Sequence, residues 1–145
     1  MNVKLFTVGY EGIVPEEFIK KLKKNGIKML LDVREIPASR KKDFSKSNLQ
    51  SWMKTSGIDY LHIKELGSPK TIRDELRATK NFIKFYEKYL AYLKSQTETV
   101  ENIEKIVSEQ PACLLCFERD ANVCHRSIIA KYLKKQNSEI QVIHL

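Results

Sequence analysis

Cysteine is scarce in this chain. Three residues, an odd and sparse set, are no disulfide framework and fit a reducing compartment. Long hydrophobic runs are missing as well. The longest, such as Met29-Leu30-Leu31, span only a few residues, which excludes a helix that crosses a membrane. The N-terminus lacks the layout of a signal peptide, so the protein is expected in the cytoplasm. No internal repeat, low-complexity tract or linker is visible. The chain has no Walker A motif, no Gly-x-Gly-x-x-Gly turn and no Gly-x-Ser-x-Gly elbow, and no cofactor is expected. Nine residues separate Cys116 from Arg126, too many for the Cys-x5-Arg loop of tyrosine phosphatases.

What is present describes an ordinary globule. A length of 145 residues suits one domain spanning 1–145, and 42% hydrophobic with 30% charged residues is enough to build a core without staples. The net charge of +8 comes from 26 Lys and Arg against 18 Asp and Glu, and it raises the local concentration of polyanions. Part of this charge, as in Lys20-Lys21 and Lys23-Lys24, has the spacing of a solvated helix face.

Strand and helix patterns alternate. Residues 3–8 read as a β-branched strand broken by Gly9 and Gly12. Pro15 suits a first helical position, Glu16 and Glu17 favour the positive end of the dipole, and Phe18, Ile19 and Leu22 form the apolar stripe until Gly26. Residues 28–33 form a continuous apolar strand of the kind buried in parallel sheets. Ser47-Asn48-Leu49-Gln50 has the form of a capping box for a helix that Gly57 stops. Residues 58–63 read as the third strand. Phe82, Phe85, Tyr86, Tyr89 and Leu93 recur at helical spacing, as do Val100, Ile103 and Ile106-Val107 before Pro111. Residues 112–117 give a fourth strand, 124–136 a helix and 140–144 a fifth strand. The expectation is an α/β, three-layer sandwich: a mainly parallel sheet of about five strands with helices on both faces.

In such a sheet the segments leaving the strands' C-terminal ends share one rim, where ligands bind. The strands deliver Tyr10 and Glu11 between two glycines; Asp32 and Arg34, then Pro37, Ser39 and Arg40; Tyr60 and His62, then Leu66-Gly67; and Cys116 with Glu118. Asp32 and Arg34 lie two apart and face one side, as do Tyr60 and His62. Asp32 with Arg34 reads equally as an ion pair that finishes a strand. Ser39 and Arg40 would offer a hydroxyl and a guanidinium fork to a phosphate or carboxylate, unless they belong to a solvated loop.

The segment from Cys116 to Arg126 carries the most chemistry. With Asn122 as helix N-cap, Cys124, His125 and Arg126 would occupy the first turn, where free N–H groups and the dipole favour an anion and a thiolate. Cys116 or Cys124 would then serve as nucleophile, with Glu118 or His125 transferring the proton. Buried cysteines more often act as small hydrophobes, and Cys113, within the strand, is read so. Zinc accepts thiolates and imidazole, but Cys113 and Cys116, three apart on a strand, point to opposite faces. A metal site would therefore use Cys116, Cys124 and His125.

These motifs in combination resemble the family called "domain of unknown function 488": Gly9-Tyr10-Glu11-Gly12, Asp32-Val33-Arg34 with Pro37, Ser39 and Arg40, Tyr60 to His62 with Leu66-Gly67, and Cys116-x-Glu118 before Cys124-His125-Arg126. Ser68 stands where members often carry a second glycine. The resemblance implies a stand-alone α/β domain of cytosolic prokaryotic type, and marks these positions as site residues without assigning a reaction.

The reading that follows is an enzyme for a phosphate-bearing substrate, a nucleotide or nucleic acid ahead of a sugar phosphate. Its expected catalytic residues are Cys116, Glu118, His125 and Asp32. Tyr10, Glu11, Arg34, Ser39, Arg40, His62, Cys124 and Arg126 are expected to contact the anion, with no metal. The alternatives are a non-catalytic nucleic-acid-binding module and a small metal-binding protein.

Overall fold

A computed structural model describes residues 3–37 and 42–145. Five strands form one all-parallel sheet: β1 (Val3–Gly9), β2 (Met29–Asp32), β3 (Asp59–His62), β4 (Ala112–Cys116) and β5 (Ile140–His144), in the order β3-β2-β4-β1-β5. Six α-helices connect them: α1 (Pro15–Lys24), α2 (Lys46–Ser56), α3 (Lys70–Thr79), α4 (Phe82–Ser95), α5 (Thr97–Glu109) and α6 (His125–Gln136). The expected α/β sandwich is thus the observed one.

Side-chain alternation along β4 sorts the core into two faces. Cys113 and Leu115 join Phe6, Val8 and Leu30 beneath α1 and α2. Leu114 and Cys116 join Leu5, Leu31 and Val33 beneath α4, α5 and α6. All five residues of β4 are buried, as befits the central strand of a parallel sheet covered on both sides. The edge strand β3 alternates instead between exposed and half-buried positions.

Local signals place most elements. Pro15 opens α1, with Glu16 and Glu17 in its first turn, and Asn81 caps α4 by accepting from the Lys84 N–H. Helix α2 begins earlier than the Ser47 motif suggests. Ser45 is its N-cap, and the Leu49 N–H closes the first turn on the Ser45 carbonyl at 2.9 Å. Helix α3 has no counterpart among the sequence expectations. It is short and strongly charged, and Ile72 and Leu76 are its only apolar pair at i, i+4. Among the described residues, no helix is long and apolar enough to cross a membrane.

Candidate functional site

The register fixes the rim. Gly9 pairs with Cys116, and Asp32 with both Leu115 and His62, so β1, β4 and β2 end side by side. The ladder runs on past the strands, through Tyr10 N–H to the Cys116 carbonyl and Glu11 N–H to the Phe117 carbonyl at 2.9 Å. Over these ends lies a cavity of about 1160 Å3. It brings together Tyr10, Glu11, Arg34, Cys116, Glu118 and His125 from the expected set. Asp32, His62, Cys124 and Arg126 are not among its lining residues. Ser39 and Arg40 lie outside the described residues.

Two glycines let the rim close this tightly. A Cβ on Gly9 would stand 1.8 Å from the Glu118 carbonyl oxygen. One on Gly67 would stand 2.3 Å from the Glu35 Cα. Both motif glycines are therefore crossings, where the backbone bearing a lining carboxylate passes directly over the glycine.

Asp32 is fully buried and its carboxylate is saturated. Its Oδ1 accepts from Arg34 Nε at 2.8 Å, and its Oδ2 from Arg34 Nη2 at 2.7 Å and from the Tyr60 hydroxyl at 2.5 Å. Arg34 Nη1 donates to the Tyr10 hydroxyl (3.1 Å) and the Phe44 carbonyl (2.8 Å). Burial works against the Arg34 charge, but the bonds and charge of Asp32 outweigh it and raise the guanidinium pKa. Burial first, then the charge of Asp32, pushes the Tyr60 phenol up as well. His62 Nε2 meets the Arg34 carbonyl at 2.7 Å. This network holds the end of β2 and the Arg34 that lines the cavity.

The segment after β4 departs from its expected form. Asn122 does not cap the helix. Ala121–Val123 form a separate 3-10 turn whose cap is Asp120, accepting from the Asn122 N–H at 2.9 Å. Helix α6 starts at His125, and Cys124 becomes its N-cap with extended backbone. That step back brings Cys124 against the end of β4, where it is disulfide-bonded to Cys116. The expectation of unpaired thiols thus holds for Cys113 alone, which is buried and whose pKa burial pushes up. Both bridged cysteines are buried, so neither presents a nucleophilic thiolate in this form.

Arg126 is completely buried and spends its donors within the protein. Nε donates to Thr7 Oγ1 at 3.2 Å, Nη1 to Cys116 Sγ at 3.2 Å and to the Glu118 carbonyl, and Nη2 to the Arg119 carbonyl at 3.1 Å. It fixes the segment that carries Glu118 and does not reach the cavity. Burial raises the Glu118 pKa. The backbone and Arg126 oppose the rise, and the nearby Glu11 adds to it. His125 donates from Nε2 to the Val33 carbonyl at 2.6 Å, and burial, ahead of its other surroundings, lowers its pKa to about 4.

Helix α3 supplies residues the sequence reading missed, Arg73 and Arg77, one turn apart on the cavity wall. Arg73 bonds Glu35 at 2.8 Å and also donates to the Ser68 carbonyl; Arg77 is exposed. Their i, i+4 spacing, each one residue past Ile72 and Leu76, was the available signal. Ile36, Phe117 and Val123 form an exposed apolar lip on the same cavity.

A family model described as domain of unknown function DUF488 matches residues 15–133, well over half of the chain. Gly9-Tyr10-Glu11-Gly12 and strand β5 fall outside the matched stretch. No curated protein and no solved structure gives a significant match.

Proposed function

The chain belongs to the DUF488 family, and we propose that this member is an enzyme of the cytoplasm that acts on a phosphate-bearing substrate, a nucleotide or a nucleic acid end. One observation carries the reading: a single cavity is lined by two arginines of α3 and by Glu118, just past β4, beside an apolar lip. Arg77, exposed and one helical turn from Arg73, offers a guanidinium fork to a phosphoryl group. Phe117, 41% exposed at the mouth, offers a flat face on which a base can stack. Glu118 lines the same cavity and burial raises its pKa, and on these grounds it is assigned to proton transfer. The cavity, about 1160 Å3, is large for a simple anion and of a size for a nucleotide. The net charge of +8 raises the local concentration of polyanions around the chain as a whole.

The test begins with a thermal-shift panel of nucleoside mono-, di- and triphosphates and short single-stranded RNA and DNA, followed by mass-spectrometric detection of product. Arg77→Ala should weaken binding of a hit about tenfold or more, the value of a charge-assisted bond, with the melting temperature unchanged. Glu118→Gln should bind and not turn over. A panel without hits, or binding indifferent to Arg77→Ala, removes the proposal. Binding without turnover by the native chain makes it a binding module instead.

A further inference from the structure

We infer that the reduced form of the Cys116–Cys124 pair, together with His125, is a zinc site whose fourth position opens into the cavity. Three ligand atoms meet at this place, whatever the substrate. Cys116 Sγ, Cys124 Sγ and a His125 ring nitrogen all lie within 4.8 Å of one another. Around a tetrahedral zinc, two sulfurs sit roughly 3.8 Å apart and sulfur and nitrogen about 3.5 Å apart. Cys124 Sγ and His125 Nδ1 are already 3.8 Å apart. The Cα atoms of the two cysteines are 7.5 Å apart, wider than the ~4.4–6.8 Å usual for a disulfide, and suit two thiolates that share an ion.

The surroundings of the three atoms point the same way. His125 Nε2 donates to the Val33 carbonyl, which leaves Nδ1 as a bare lone pair on a ring only 8% exposed. A disulfide sulfur carries no proton, so among the described residues nothing donates to that lone pair; a metal ion would satisfy it. A backbone carbonyl behind the distal nitrogen is the support that metal-bound histidines commonly have. The ring is held further by an edge contact with Tyr89. On the sulfur side, Arg126 Nη1 donates to Cys116 Sγ at 3.2 Å, and among the described residues no carboxylate forms an ion pair with this buried guanidinium. A neutral disulfide gives that cation little, whereas a metal-bound thiolate gives it a negative partner. Cys116 and His125 line the cavity, so the position left by three protein ligands faces it. Three protein ligands and one open position are the pattern of catalytic zinc.

The chemistry balances in two steps. A dithiol of the cell or the buffer reduces the disulfide by exchange: it gives up two electrons and two protons and becomes a cyclic disulfide, and Cys116 and Cys124 become thiols. Zinc then binds both sulfurs and displaces their two protons to solvent.

The test uses the full chain, reduced with a dithiol, exchanged into reductant-free buffer under argon and titrated with cobalt. One cobalt per chain is expected, with thiolate-to-cobalt charge transfer in the near ultraviolet that zinc abolishes by displacement. Cys116→Ser, Cys124→Ser and His125→Gln should each weaken binding tenfold or more, while Cys113→Ser, on the opposite face of the sheet, should change nothing. Circular dichroism checks that each variant is folded. As a measurement free of variants, zinc should protect Cys116 and Cys124 of the native chain from alkylation. A reduced, folded chain that takes up no stoichiometric cobalt overturns the inference. So does a cobalt affinity that Cys124→Ser leaves unchanged, alkylation indifferent to zinc, or a disulfide that the dithiol does not open.

Discussion

At Gly9 two backbones cross with no room for a methyl group. The Glu118 carbonyl that would meet a Cβ there also accepts from Arg126, so any shift at this crossing reaches the buried guanidinium. Gly9→Ala should therefore cost about 1–3 kcal/mol, the range of an overpacked site, and lower the melting temperature by roughly 2–4 °C per kcal/mol for a chain of this size. Thermal denaturation followed by circular dichroism measures it, and an unchanged midpoint would show that the crossing is loose. Residues at this scale were partly legible. The glycine was visible as a strand breaker, but the crossing was not, because the partner backbone lies 109 positions away in the sequence. Arg34 and Arg126 were read as anion holders from their charge. Which donors remain for a ligand depends on the carbonyls around them, and a sequence does not show those carbonyls.

Among the elements, α3 differs most from its neighbours. None of its residues is buried, and its apolar contacts are limited to the half-buried Ile72 and Leu76, whereas every residue of β4 is buried. Local opening should therefore cost least there. In hydrogen exchange, the amides of α3 should exchange well before those of β4, and a phosphate ligand held by Arg73 and Arg77 should slow them. Equal protection of the two elements would contradict the first expectation. The same property hid α3 from the sequence: a helix that buries little writes only a faint apolar period. Helices α1, α4 and α5, with their strong apolar stripes, and the five strands were legible, since each must bury a face. The start of α6 was misplaced by the 3-10 turn before it, where Asp120 caps instead of Asn122.

Across the whole molecule, a hydrogen-bonded chain joins the sheet to α6 and runs out to the edge. Arg126 Nε donates to Thr7 Oγ1, and that hydroxyl lies 2.6 Å from Nδ1 of His144 on β5. Burial, then the charge of Arg126, lowers the His144 pKa. Acidification therefore protonates this residue in the unfolded chain before the folded one. Its stabilising contribution is complete above the ordinary histidine pKa and is lost as pH falls toward the lowered folded value. Between about pH 7 and pH 5 the melting temperature of the native chain should fall more steeply than that of His144→Gln. Parallel slopes would remove this residue from the acid response.

Apart from α3 and the 3-10 turn before α6, the sequence by itself determined which segments become strands and which become helices, because period, glycine, proline and capping residues act over a few positions. It also determined that polar residues gather at the strands' C-terminal ends, since parallel strands share one direction. Only the tertiary structure decided the order β3-β2-β4-β1-β5, and with it which strand ends adjoin. Placing β4 between β2 and β1 brings Arg34, Glu118 and Glu11 around one cavity, while His62, on the edge strand, is not part of its lining. Register and packing between distant segments also set Cys124 against Cys116 and α3 over the cavity. Such contacts depend on the energies of whole faces, and no local pattern in the chain encodes them.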